Sequence, residues 1–199
     1  MDALTYPYTL QDLLSLYEFE PLLEPIHREK HYSALIDWAE KEVLFGNDSE
    51  TLLIIASFCL DVKLDYDEIN GYLDRYLYEN KIKRPSADTS ALVWLKIQMW
   101  YLLNTPNAKG VEESLYLFSQ HFFDFGPRFF AKTTGYLNNL YYQLYDSGWG
   151  DYPTKAESMD EQTLLRFVKE RIRPLYRKLT HNEWLTLLAR GQPAGNRLA

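Results

Sequence analysis

Apolar residues recur along this chain at intervals of three and four, and no stretch alternates convincingly with period two, so the pattern predicts helices throughout. Helix starts are marked in the same language. A Ser, Thr or Asp followed three residues later by an acid predicts an N-terminus, because the first side chain accepts from a free backbone amide while the second reaches back. Thr9 with Asp12, Asp65 with Glu68, Ser158 with Glu161, and Thr180 with Glu183 fit this box, each ahead of apolar residues at helical spacing.

These signals predict a short helix from Leu10 to Tyr17, closed by the proline-bearing EPLLEP, and a second from His27 to Phe45 with Tyr32, Leu35, Ile36, Ala39 and Val43 on one stripe. Gly46-Asn47 is its stop. A third, Glu50 to Leu60, is apolar over most of its surface and is expected in the middle of the core, with Cys59 as a small buried hydrophobe. Asp65 caps a fourth, to Glu79, whose stripe is Ile69, Tyr72, Leu73, Tyr76 and Leu77. After the loop KIKRPSAD, Asp88 or Thr89 opens a fifth through Leu103; its two apolar stripes, Leu92, Leu95, Met99 and Leu103 beside Val93, Ile97 and Trp100, make it central. Val111 to Phe122 and Pro127 to Asp146 follow, the second started by proline, whose missing amide costs nothing in a first turn. SGWGDYPT is a loop, Ser158 begins an eighth helix that should kink or end near Pro174, and Thr180 begins a last one closed by Gly191.

The fold class expected is all-α, an irregular bundle or a short stack of antiparallel helical hairpins with eight or nine helices. A single domain over residues 1–191 and a flexible tail over 192–199 complete the expectation. No repeated residue pattern identifies a repeat family.

Composition alters this picture little, and charge alters it more. The 199 residues are 46% hydrophobic and 25% charged, as in ordinary globular proteins, but 16 Tyr, 10 Phe and 5 Trp are many, and tyrosine suits both half-buried helix contacts and interfaces. Residues 1–80 hold 17 acids against 5 bases, whereas residues 81–199 hold 11 against 16, so the net −7 conceals a polarised chain. MDALTYPYTL has no basic and apolar leader pattern, and the longest apolar run, Leu52 to Leu60, is too short to span a bilayer, so a cytoplasmic protein is expected. One cysteine allows no intrachain disulfide, and the spelling Asn47-Asp48-Ser49 has no meaning as a glycosylation site inside the cell.

Candidate chemistry is thin. Asp124-Phe125-Gly126 spells the magnesium-holding tripeptide of protein kinases, but no Gly-rich loop, strand lysine or catalytic-loop base accompanies it. His27 and His31 share a helical face at zinc-binding spacing, yet Arg28 stands where a zincin has Glu and no third ligand is readable, so two solvent-facing histidines are expected instead. DVKLDYDEINGY resembles a calcium loop only until Lys63, Tyr66 and Tyr72 fall on ligand and glycine positions. Neither His121 nor His181 has a nucleophile or orienting partner, and pairs such as Glu112-Glu113 suit helix starts. No catalytic residue, metal or cofactor is therefore assigned.

What remains is a binding protein. The acidic N-terminal face, with Glu40, Glu42, Asp48, Asp61, Asp65, Asp67, Glu68 and Asp74, is expected to dock a basic protein partner, and Trp149 is a candidate aromatic anchor. In size, acidity, tyrosine content and lack of a catalytic constellation the chain is similar to bacterial immunity proteins, which cover a basic toxin; phage-encoded nucleic-acid mimics share these traits. The alternatives are a nucleic-acid-binding regulator using the basic helix 164–178 through Arg166, Lys169, Arg173 and Arg177, an enzyme with an unrecognised site, and head-to-tail self-association of acidic and basic ends.

Overall fold

A computed structural model describes residues 6–19, 28–121, 123, 125–146 and 153–190. Among these residues the chain forms nine α-helices and no strand: α1 (Leu10–Phe19), α2 (Arg28–Leu44), α3 (Glu50–Ser57), α4 (Tyr66–Glu79), α5 (Ala87–Asn104), α6 (Ala108–Gln120), α7 (Arg128–Tyr145), α8 (Glu161–Thr180) and α9 (Asn182–Ala189). Contacts divide the chain into two compact units, Pro7–Ser86 and Met1–Tyr6 with Ala87–Ala199.

In the unit Pro7–Ser86, successive helices pack on one another, α1 on α2, α2 on α3 and α3 on α4. Thr9 and Asp12 form the expected box, each accepting from the other's backbone amide at 3.2 Å, and Asp65 accepts from the amides of Asp67 and Glu68. The α2 stripe buries Tyr32, Leu35, Ile36 and Ala39 against Leu52, Ile55, Ile69, Leu73 and Leu77, with Trp38 added. Two helix ends use the same device. At α2, Gly46 N–H returns to Val43 and Asn47 N–H to Glu42; at α4, Lys81 N–H returns to Tyr78 and Ile82 N–H to Leu77. Each needs a left-handed residue, which is Gly46 at φ 95° in one and, against preference, Lys81 at φ 54° in the other. Arg84 then pins the end of the unit by bonding Asp74 at 2.6 Å and Glu18 at 3.2 Å while lying 5.2 Å from the Tyr17 ring centre.

Three expectations for this unit are corrected. Helix α3 ends at Ser57 and gives way to one 3-10 turn, Phe58–Leu60. Only Thr51, Leu52, Ile55 and Phe58 of this stretch are buried; Leu53 and Leu60 are exposed, and so is Cys59, because a segment with apolar residues on every face has just one face against α2 and α4. His31 is buried beside Tyr17 and Tyr32 rather than facing solvent, since it shares the inward side of α2 with Leu35.

The other unit is a bundle around α5, which contacts α6, α7, α8 and α9 and is buried at every position from Ser90 to Leu95. Trp94 is caged by Phe118, Phe123 and Phe130 at centroid distances of 5.9, 5.5 and 6.2 Å. The segment around Gly126 is thus a helix junction: Phe118 closes α6, Phe123 and Phe130 fill the core, and Phe125 lies half outside. Gly126 sits at φ 75°, where a Cβ would meet Phe130 at 3.4 Å. Phe122 and Asp124 lie outside the described residues, as do His27, Trp149 and the segment 192–199 expected to be a tail.

Boundaries here differ by cap choice. Asn107 caps α6 by accepting from Gly110, earlier than the expected Val111, and Pro127 precedes α7 instead of opening it. Asp160, not Ser158, caps α8; the box upstream is made by Thr154 and Glu157. Helix α8 continues past Pro174 to Thr180 as one element, so the chain does not leave the helix at the proline. Thr180 therefore ends α8, and His181 precedes α9 without a side-chain cap. No helix among the described residues is long and apolar enough to cross a membrane.

Candidate functional site

The acidic candidates fall along two connections and the helices beside them. Glu42 and Asp48 flank the α2–α3 connection, while Asp61, Asp65, Asp67 and Glu68 lie in the α3–α4 connection and the first turn of α4. An eight-residue helix of about 12 Å separates the two connections. Asp74 is already engaged by Arg84, and Glu40 accepts from the Cys59 thiol. That hydrogen bond, with repulsion by the same carboxylate, pushes the thiol pKa up.

The α3–α4 connection is the more distinctive of the two places. Residues 60–68 read LDVKLDYDE, four acids against Lys63. Asp61, Asp65, Asp67 and Glu68 are all exposed, and none forms an ion pair within the described residues. Between them Leu60 is 82% exposed and Val62 fully so. Solvent-facing Leu and Val inside an acidic cluster give one short segment both of the features that interfaces combine, an apolar centre and a charged rim. A shallow cleft of about 500 Å3 lined by Asp37, Phe58 and Tyr66 lies directly beside it.

The basic part of the chain also separates into two faces. Lys169 turns inward and donates to the Thr105 carbonyl at 3.2 Å, leaving Arg166, Arg173 and Arg177 exposed on one side of α8 with Glu170 among them. On the opposite side, Arg171, Pro174 and Leu175 join Arg128, Phe129, Lys132, Thr133 and Tyr136 of α7 and Leu187 and Leu188 of α9 in a groove of about 790 Å3. Its lining holds three cations and no acid. Lys178 lies 6.0 Å from the Phe129 ring centre at one end. Leu187, 63% exposed, forms part of the apolar wall.

Sequence reasoning missed this groove because its cations come from separate segments and meet only because α7 and α8 both pack on α5 and α6. The one available signal was the spacing of Arg128, Lys132 and Tyr136, which places all three on one stripe of α7. Among the described residues no group of three or more His, Cys, Asp or Glu is arranged to hold a metal ion. Comparison with protein-family models, with curated proteins and with solved structures finds no match.

Proposed function

We propose that this protein is a cytoplasmic protein-binding module whose α3–α4 connection docks a cationic surface on a partner protein, in the manner of an acidic inhibitor or immunity protein. The observation that carries the reading is the exposed segment 60–68, in which Leu60 and Val62 stand in solvent among Asp61, Asp65, Asp67 and Glu68. Its four acids supply the long-range attraction that speeds encounter, and its two aliphatic side chains supply apolar area to bury on contact. The unit Pro7–Ser86 carries 16 acids against 8 bases, so the field around the segment is negative as a whole.

A photo-reactive residue at Val62, compared with one at the equally open Tyr78, tests this in the source cell. The expected result is one protein with a cationic surface captured at position 62 and not at 78, with capture lost in Asp61→Lys/Asp67→Asn/Glu68→Gln and weakened by salt. Equal capture at both positions, or capture indifferent to the triple substitution, refutes the reading. Asp65 is left intact because it caps α4.

A further inference from the structure

The two surfaces described above lie on one chain and are complementary to each other. Segment 60–68 has a net charge of −3 and two exposed aliphatic side chains. The α7–α8–α9 groove offers the opposite charge, lined by Arg128, Lys132 and Arg171 beside Phe129, Leu175 and Leu187, with the Arg171 guanidinium stacked 3.5 Å from the Phe167 ring centre. From Arg128 to Tyr136 it follows α7 for about 12 Å, two helical turns, which matches the reach of four extended residues. We propose that the groove is occupied by segment 60–68 of a second copy of this chain, with Leu60 and Val62 on the groove floor and Asp61, Asp67 and Glu68 against its cations.

This occupant rests on the reading of segment 60–68 as a docking element, and it supplies the cationic surface that the element recognises. The contact joins two different surfaces, so it is heterologous: after the first contact one copy keeps its groove free and the other its segment, and assembly continues unless it closes into a ring. Six opposed charges near the surface make the association sensitive to salt.

Sedimentation of the purified full-length chain, alone and in mixtures, gives the test. The native chain should grow beyond two copies with rising concentration and fall back to one in high salt. The segment variant Asp61→Lys/Asp67→Asn/Glu68→Gln retains a groove, and the groove variant Arg128→Glu/Lys132→Glu retains a segment, so each alone should be monomeric. Their mixture should form a complex of two chains that grows no further, because only one good segment and one good groove remain. Helical circular dichroism at native strength establishes that both variants are folded, and Leu187→Asn on the groove wall provides a second groove variant outside the charge pattern. A native chain that stays monomeric at millimolar concentration in low salt overturns the proposal, as does a mixture in which the two variants ignore each other. If position 62 nevertheless captures a different protein in the cell, the docking role of the segment stands and only the choice of a second copy fails.

Discussion

Replacing His31 by Phe should remove an acid sensitivity that the fold builds into the unit Pro7–Ser86. The imidazole is buried between the rings of Tyr17 and Tyr32, at centroid distances of 5.5 and 5.7 Å, and its Nδ1 has no hydrogen-bond partner among the described residues. Loss of hydration disfavours the imidazolium and lowers the pKa from 6.5 to about 4. The unfolded chain therefore binds a proton that the folded chain refuses between these two values. The stability contributed by neutral His31 is complete above the unfolded pKa and is lost as pH falls from about 6.5 towards 4. Integrating the difference gives a loss of about 2 kcal/mol between neutral pH and pH 5, with a limit of roughly 3 kcal/mol at lower pH. Urea unfolding followed by far-ultraviolet circular dichroism, for native chain and His31→Phe at both pH values, isolates this term, because the carboxylates titrate alike in both proteins. Phe retains the ring contacts and cannot ionise, so the variant should lose about 2 kcal/mol less on acidification. Equal losses in the two proteins, or an imidazole resonance titrating near 6.5 in the folded chain, would show that burial does not control this residue.

Two further predictions concern stability. Phe130→Ala should destabilise the bundle around α5 by about 3–5 kcal/mol, read as a lower denaturant midpoint, because a fully buried ring in contact with Trp94 and Phe123 leaves a cavity that the cage cannot fill. Lys81→Gly should raise the thermal midpoint, with a gain of about 0.5–1 kcal/mol, because glycine accepts the left-handed conformation that Lys81 is forced into at the end of α4; an unchanged or lower midpoint would mean that the lysine side chain contributes more than its backbone strain costs.

The helices were legible wherever one apolar stripe faced one neighbour. In α2 and α4 the period of the stripe and the identity of the buried residues agree, Leu35 with Ala39 and Ile69 with Leu73 and Tyr76, because a single face had to be covered. α5 was legible for the opposite reason, since apolar residues all round require neighbours all round, and α6 to α9 provide them. The stretch from Glu50 to Leu60 is as apolar but has neighbours on one side only, and so its outer residues are left in solvent. Side-chain character alone does not say how many neighbours a helix will have. Cap chemistry was ambiguous where several oxygens compete within a few residues, so that Asp160 displaced Ser158 and Asn107 advanced α6. Of the candidate site, the acidity around Asp61 to Glu68 could be read directly, because it is local. The groove could not: Arg128 and Arg171 are 43 positions apart, and they line one groove only because α7 and α8 both pack on α5 and α6.

Cys59 gives the proposed assembly a built-in chemical signature. It is the chain's only thiol, it is exposed, and it directly precedes Leu60. Copies that met face to face through this segment would bring two such thiols together, and mild oxidant would trap them as a disulfide-linked pair. Copies joined head to tail place each thiol against helices that contain no cysteine, so oxidation should leave single chains on a non-reducing gel. The Glu40 carboxylate, by keeping the thiol protonated, slows unselective air oxidation and preserves that contrast. A bottle of diamide and a gel would thus distinguish a symmetric pair from a polar array before any centrifuge is started.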